Sequence, residues 1–208
     1  MKKVILSAIA LLAITFANAQ DSSAKEYGFT EGNVLVEGNL GFNSTNNNNT
    51  DVKTNSFIFS PKAAYFLTDK FAVGAQVGVG SSTTETAGVD TSKGTDFSAG
   101  VFGRYYFLDL GQRFKTYADA GVDFGSSKAG IGAAEVKANG VSAGVGLGLN
   151  YFVTQRVVLN FALRNILSYS TAKVDAPGAK SVSSFGFDLN GNVANPFASG
   201  SFGVGYVF

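Results

Sequence analysis

The segment Phe202-Gly203-Val204-Gly205-Tyr206-Val207-Phe208, at the end of the sequence, alternates large and small side chains. In an extended strand successive side chains point to opposite faces, so Phe202, Val204, Tyr206 and Phe208 share one face. The other face carries mainly glycine. This period of two residues predicts a β-strand with one aromatic, apolar face and one small face.

The first residues have the pattern of a secretory signal peptide. A basic start, Met1-Lys2-Lys3, precedes an uncharged apolar run from residue 4 to 16, and Ala17-Asn18-Ala19 supplies small residues at the cleavage positions. The run is too short for a transmembrane helix. We expect cleavage after Ala19, with residues 1–19 removed and residues 20–208 forming one domain.

Composition narrows the classes of function. Without its two leader lysines the chain carries 14 Lys and Arg against 15 Asp and Glu, which predicts no basic surface for nucleic acid. Histidine and cysteine are absent, which excludes disulfides, the common nucleophilic dyads and the usual zinc sets. Asp119 and Asp123 could still act as an acid–base pair, but Arg104 lies close in the expected register. We therefore expect no catalytic residues, no cofactor and no metal ion.

Eight segments share the alternating pattern. They span residues 33–43, 56–67, 71–81, 96–108, 116–126, 140–153, 157–168 and 198–208. A strand crosses a membrane with about 9–11 tilted residues, whereas strands in soluble proteins average about 5–6. Short connections at 68–70, 109–114 and 154–156 alternate with longer polar loops predicted at 44–54, 83–94 and 127–138.

A further segment, 182–190, also has the composition of a strand. If it crossed a membrane, the chain would end on the side opposite to its start, because an even number of strands returns it to the same side. We expect this segment to form a β extension or an external hairpin near the eighth strand.

These features resemble the small outer-membrane β-barrels of diderm bacteria, of the OmpA/OmpX-like or porin-family type. The resemblance rests on the signal peptide, the eight amphipathic strands and the terminal phenylalanine. It implies an all-β fold, an eight-stranded antiparallel up-and-down transmembrane barrel, in the cell outer membrane. It also implies that Phe202, Val204, Tyr206 and Phe208 are the signal that the barrel assembly machinery reads.

Aromatic residues recur where a strand meets a short turn. Tyr65, Tyr105, Phe107 and Tyr151 hold such positions. In membrane barrels, rings at the level of the headgroups form an aromatic girdle, and we expect one here. The alternative is that strand ends simply favour aromatic residues.

Charged residues occupy the face opposite to the aromatic one. They are Glu37, Lys62, Arg104, Asp119, Asp123 and Arg164, with the polar Gln76, Asn150 and Asn160 on the same face. Counting outward from each connection places Arg104 opposite Asp119, and Lys62 opposite both Glu37 and Gln76. Buried charges need such partners, and side chains can fill an eight-stranded barrel. We expect a salt-bridged plug in the lumen, with an ion path or gate as the alternative.

The predicted function is that of an integral outer-membrane protein with a structural or surface-interaction role. One alternative is a narrow porin-like channel for ions or small solutes. Another is a soluble exported ligand-binding barrel, which the apolar outer face disfavours. The expected partners are outer-membrane lipids, the assembly machinery and a surface or host ligand at the loops; we expect a monomer.

Overall fold

The computed structural model describes residues 27–188 and 200–208, so the predicted signal peptide, with Ala17 and Ala19, lies outside the described part. The strands are β1 Val34–Asn47, β2 Val52–Phe66, β3 Phe71–Thr86, β4 Val89–Leu110, β5 Phe114–Gly130, β6 Val136–Phe152, β7 Val157–Val174, β8 Val182–Phe187 and β9 Gly200–Val207. A short 3-10 turn, Gly132–Ala134, connects β5 and β6. No helix in these two ranges is long and apolar enough to span a membrane.

Antiparallel hydrogen bonding closes the strands into a barrel. The strands β1 to β7 pair in chain order, and β9 pairs with both β7 and β1. The strands β8 and β9 both pair with β7 and follow each other along it, so together they fill the eighth position. The prediction of an all-β, eight-stranded antiparallel barrel is therefore confirmed.

The eighth position is divided at the middle of β7. Phe187, the last residue of β8, pairs with Leu167, whereas Gly200, the first residue of β9, pairs with Leu163. At the same level β7 contains a bulge, where Asn165 has a φ of 58°. The segment predicted at 182–190 is thus a β extension of the wall, the first of the two predicted arrangements, and residues 189 and 190 lie outside the described part.

The strands extend well past their predicted ends on the side where long loops were predicted. The predicted loops at 44–54, 83–94 and 127–138 are mostly strand, and the β1–β2 connection shortens to residues 48–51. The prediction of these loops was wrong because their Asn, Ser and Thr side chains show no apolar alternation. Backbone pairing between antiparallel strands continues without any such pattern.

Side chains alternate between the two faces of the wall. Outward residues such as Val101 and Phe124 are 64% and 52% exposed, whereas inward Leu35 and Phe66 are 0% exposed. The buried core lies inside the barrel near the short turns. The apolar outer face and polar inner face suit a wall that contacts lipid.

Candidate functional site

Arg104 of β4 is the centre of a charged cluster in the lumen, and its side chain is only 1% exposed. Its Nε and Nη2 donate to the two carboxylate oxygens of Asp119 on β5, at 2.7 and 3.0 Å. Its Nη1 lies 2.9 Å from Oε2 of Glu37 on β1. The guanidinium also lies over the ring of Tyr117, 3.8 Å from the ring centroid. This arrangement neutralises Arg104 with two carboxylates and covers its apolar plane.

Neutral side chains complete the hydrogen bonding of Glu37. Its Oε1 accepts from Nδ2 of Asn150 on β6, at 3.2 Å, and from Nδ2 of Asn160 on β7, at 2.9 Å. Asn150 in turn accepts a hydrogen bond from the hydroxyl of Tyr106. Burying a charge is costly unless such partners are present, and Glu37 finds them on β4, β6 and β7.

Lys62 of β2 extends the cluster to a sixth strand position. Its Nζ lies 3.7 Å from Oδ2 of Asp119 and 4.9 Å from the ring centroid of Phe102. Asp119, which is 17% exposed, thus contacts both Lys62 and Arg104 at the upper boundary of the cluster. Here "upper" denotes the side of the β1–β2, β3–β4 and β5–β6 connections, opposite to the turns at 67–70, 111–113 and 153–156.

An aromatic layer lies below the cluster, beside the short turns. Phe29, from the segment that precedes β1, inserts its ring into this layer and stacks on Phe66 with a centroid separation of 4.3 Å. The rings of Tyr106 and Phe152 lie 4.7 and 5.1 Å from Phe29. Backbone hydrogen bonds between residues 32–33 and Phe66 hold the segment in place. The residues before β1 thus contribute to the filling of the lumen.

A polar cavity of about 380 Å³ lies above the cluster. Lys62, Gln76, Asp119 and Asp123 line it, with the serines at 60, 98, 142, 168 and 170. The amide of Gln76 donates to both carboxylate oxygens of Asp123, at 2.7 and 2.8 Å. Asp123 therefore belongs to the wall of this cavity and does not contact Arg104 among the described residues.

The register predicted around the turns is confirmed. Arg104 pairs with Asp119, and Lys62 pairs with Glu37 on one side and Gln76 on the other. Of the six charged residues proposed for the lumen, the structure brings together Glu37, Lys62, Arg104 and Asp119. Asp123 is held apart by Gln76, and the side chain of Arg164 lies outside the described part.

Glycine at inward positions makes room for the large residues. A Cβ at Gly148 would overlap the ring of Tyr117, and one at Gly203 would overlap the amide of Asn39. Both glycines belong to the alternating runs that the sequence places on the inner face. Because these two glycines have no side chain, the side chains of Tyr117 and Asn39 have room to point into the narrow barrel.

Sequence reasoning missed several residues of the site. Tyr106 and Tyr117 hydrogen-bond or stack within the cluster, although only their charged neighbours were singled out. The signal was available, because each lies two residues from Arg104 or Asp119 and so shares the inward face. Phe29 had no comparable signal, since it precedes the first strand and has no register to place it.

The residues proposed for an aromatic girdle lie on the outer surface near the short turns. Tyr65, Tyr105 and Phe107 are 49%, 51% and 51% exposed. Tyr151 of β6 contacts Phe114 of the neighbouring β5, with ring centroids 4.7 Å apart.

The C-terminal residues proposed as an assembly signal also face outward. Phe202, Val204 and Phe208 are 51%, 43% and 62% exposed, and the ring of Phe208 lies 4.7 Å from that of Tyr206. In the turn before β7, Arg156 donates to the hydroxyl of Tyr206 at 3.4 Å, and this contact raises the pKa of Arg156. The backbone of β9 also pairs with β1 on one side and with β7 on the other.

The chemistry of the cluster is that of paired charges and hydrogen bonds. Within residues 27–188 and 200–208, no group of three His, Cys, Asp or Glu side chains could hold a metal ion. The carboxylates of Glu37 and Asp119 are both engaged by Arg104. Such an arrangement joins strands across the lumen and has strong geometric preferences.

The comparison with protein families identifies a match over residues 7–208 to the outer membrane protein beta-barrel domain. Among solved structures, OprG of Pseudomonas aeruginosa is 14% identical, with a TM-score of 0.52 over 87% of this chain and 98% of that chain. The N-terminal barrel of Pseudomonas aeruginosa OprF is 15% identical, with a TM-score of 0.49 over 86% and 100%. Ail of Yersinia pestis is 16% identical, with a TM-score of 0.48 over 86% and 100%. No curated protein matches the sequence.

Proposed function

The chain belongs to the family of outer membrane protein β-barrel domains, and on this basis we propose that it is an exported outer-membrane anchor with a closed lumen. The observation that carries the proposal is the cluster around Arg104. Side chains from six of the eight strand positions, Glu37 and Lys62 among them, meet there across the barrel. An eight-stranded barrel is just narrow enough for side chains to fill it.

Burial supports closure at the level of the cluster. Arg104 and Glu37 are 1% and 2% exposed, and Asn150 is 0% exposed. A water-filled channel would leave such polar groups accessible to solvent. The aromatic layer around Phe29 provides a second, apolar barrier directly below.

In this proposal, the surface that contacts other molecules is formed by the external hairpins. The hairpins of β1–β2 and β3–β4 extend past the apolar band with exposed Asn, Ser and Thr side chains. We propose that these hairpins contact a surface or host ligand, that the barrel is monomeric, and that it has no catalytic role. We propose that the assembly machinery reads Phe202, Val204, Tyr206 and Phe208.

Planar-bilayer recordings of the refolded mature protein test the closed lumen. Insertion is first established by protection of the strands from added protease. We expect no discrete conductance steps from the inserted wild-type protein. Steps that appear reproducibly in the wild-type protein would refute closure.

A narrow channel is the second candidate, and the polar cavity above the cluster is the observation that favours it. If ions cross the barrel, Asp123→Asn should change the size or cation preference of the steps, because Asp123 lines that cavity. Asp90→Asn is the matched control, since Asp90 lies in the external part of β4. An effect of Asp123→Asn without an effect of Asp90→Asn would assign the current to the lumen.

A further inference from the structure

Three exposed lysines lie on the outer surface of adjacent strands, above the apolar band. On β5 and β6, Lys128 and Lys137 lie four residues beyond the outward-facing Phe124 and Val141. On β7, Lys173 lies four residues beyond the outward-facing Tyr169. The register of β5–β6 and of the upper β6–β7 ladder has no shift along these stretches, so each lysine shares the outward face of its apolar neighbour.

The three lysines repel one another, and Asp175 is the acidic residue that the pairing of β6 with β7 places opposite Lys137. Lys128 and Lys137 lie directly opposite each other, and Lys173 pairs with position 139 on the next strand. Like charges that face each other across two strands are destabilising. Among the described residues, none of the three side-chain ammonium groups forms an ion pair or hydrogen bond.

Lysines elsewhere at this level have acidic neighbours. Lys93 of β4 forms an ion pair with Asp90 at 2.8 Å. Lys53 of β2 lies opposite Glu85 of β3. On β5, β6 and β7, by contrast, the three lysines outnumber Asp175, the acidic residue opposite Lys137, so positive charge remains in excess.

An apolar groove of about 870 Å³ runs along the outer wall below the three lysines. Val122, Ala143, Val145, Leu167 and Tyr169, from the same three strands, contribute to its lining. Small side chains between larger ones create the hollow. The groove faces the hydrocarbon layer of the membrane, where acyl chains are the available occupants.

The three lysines lie at the height of a lipid headgroup, and the groove lies at the height of its acyl chains. Four residues of a tilted strand rise about 10 Å, and long lysine side chains bend toward the headgroups. Lysine is protonated at neutral pH and binds phosphate as a point charge. The charge and the groove are therefore complementary to an anionic headgroup with its acyl chains.

We propose that Lys128, Lys137 and Lys173, with the groove below them, bind a phosphate-bearing anionic lipid of the outer leaflet. The lipid phosphate lies among the three ammonium groups and relieves their mutual repulsion. Its acyl chains lie along Val122, Val145 and neighbouring residues. The site rests on the proposed membrane placement of the barrel.

Single tryptophans test the site, because the sequence contains no Trp. Tyr169→Trp places a fluorophore in the groove, and Val79→Trp places a control on β3, where the wild-type side chain is 41% exposed. The proteins are refolded in phosphatidylcholine vesicles that contain brominated phosphatidylglycerol or brominated phosphatidylcholine. At position 169 we expect a relative binding constant for the anionic lipid about three- to tenfold above unity. At position 79 we expect a value near unity.

The triple variant Lys128→Gln/Lys137→Gln/Lys173→Gln should bring the value at position 169 to that of the control. An unchanged preference in this variant, or equal values at both positions in the wild-type background, would overturn the site. Absence of quenching by either lipid at both positions would instead refute the membrane placement.

Inorganic phosphate distinguishes a lipid from a free anion. A preference that persists in phosphate buffer at matched ionic strength supports the lipid. A preference abolished by phosphate but retained in chloride would place a free phosphate ion at the lysines and overturn the assignment. Urea unfolding provides a second measurement: the triple variant should be more stable than wild type in neutral vesicles and lose that advantage with anionic lipid.

Discussion

Replacing Arg104 with methionine removes the only described cation that contacts Glu37. Both side chains are almost fully buried, at 1% and 2% exposure, so the carboxylate of Glu37 would remain in a desolvated site. Removing one partner of a buried ion pair costs about 3–5 kcal/mol. Asp119 is less affected, because it is 17% exposed and also lies near Lys62. We therefore expect Arg104→Met to lower the free energy of unfolding by about 3–5 kcal/mol.

The double variant Glu37→Gln/Arg104→Met should recover most of this loss. It removes the orphaned charge and keeps an amide that Asn150 and Asn160 can still hydrogen-bond. We expect a residual loss of about 1–2 kcal/mol and a coupling energy of about 2–3 kcal/mol in the double-mutant cycle.

The assay is urea unfolding of the refolded protein in detergent micelles, followed by circular dichroism and tyrosine fluorescence. Lys115→Met is the matched control, because Lys115 forms an ion pair of 2.7 Å with Asp109, which is 57% exposed. Because the Asp109 carboxylate stays solvated when Lys115 is replaced, we expect this variant to cost about 0–1 kcal/mol. The reasoning fails if Arg104→Met costs no more than Lys115→Met, or if Glu37→Gln does not rescue it.

Phe29→Ala should lower the free energy of unfolding by about 3 kcal/mol, because it empties the centre of the aromatic layer; an unchanged urea midpoint would contradict that packing. Gly148→Ala should lower the free energy of unfolding by about 1–3 kcal/mol, because the added methyl overlaps the ring of Tyr117. Gly125→Ala is the control in the same urea titration and should be close to neutral, since the nearest atom to its added methyl is 3.8 Å away. The hydrogen bond from Lys93 to the Asp90 carboxylate raises the pKa of Lys93. Asp90→Asn should return this pKa toward its ordinary value in an NMR titration. Any stabilisation from the Lys93–Asp90 pair is present below the pKa that Lys93 has in the unfolded chain, and it is lost as the pH rises through the raised pKa of the folded protein. An equal pKa of Lys93 in the wild-type protein and in Asp90→Asn would refute the contact.

The sequence was sufficient for the fold and for the pairing of charges near the turns. Alternation with a period of two assigns each residue to a face, and antiparallel pairing makes the register a matter of counting from a short turn. That is why the pairing of Arg104 with Asp119, and of Lys62 with Glu37 and Gln76, could be derived in advance.

The polar hairpins and the divided eighth strand position could not be derived in the same way. Above the apolar band both faces of the strands are solvated, so the side chains carry no alternation that would mark a strand. The segment Val182–Phe187 and the strand Gly200–Val207 have ordinary strand sequences, and only their common partner β7 shows that they share one position in the wall.

By itself the sequence determined which residues face inward, how many strands the barrel has and which charges oppose each other, because these follow from local periodicity. Tertiary structure alone decided how those inward groups meet across the lumen. Arg104 reaches Glu37, which is distant in sequence and not on a neighbouring strand, because the closed wall brings β1 and β4 close enough for these two inward side chains to meet. Phe29 fills the mouth for the same reason: the barrel creates an apolar space whose width no strand pattern encodes, and an aromatic ring outside the strands is free to occupy it.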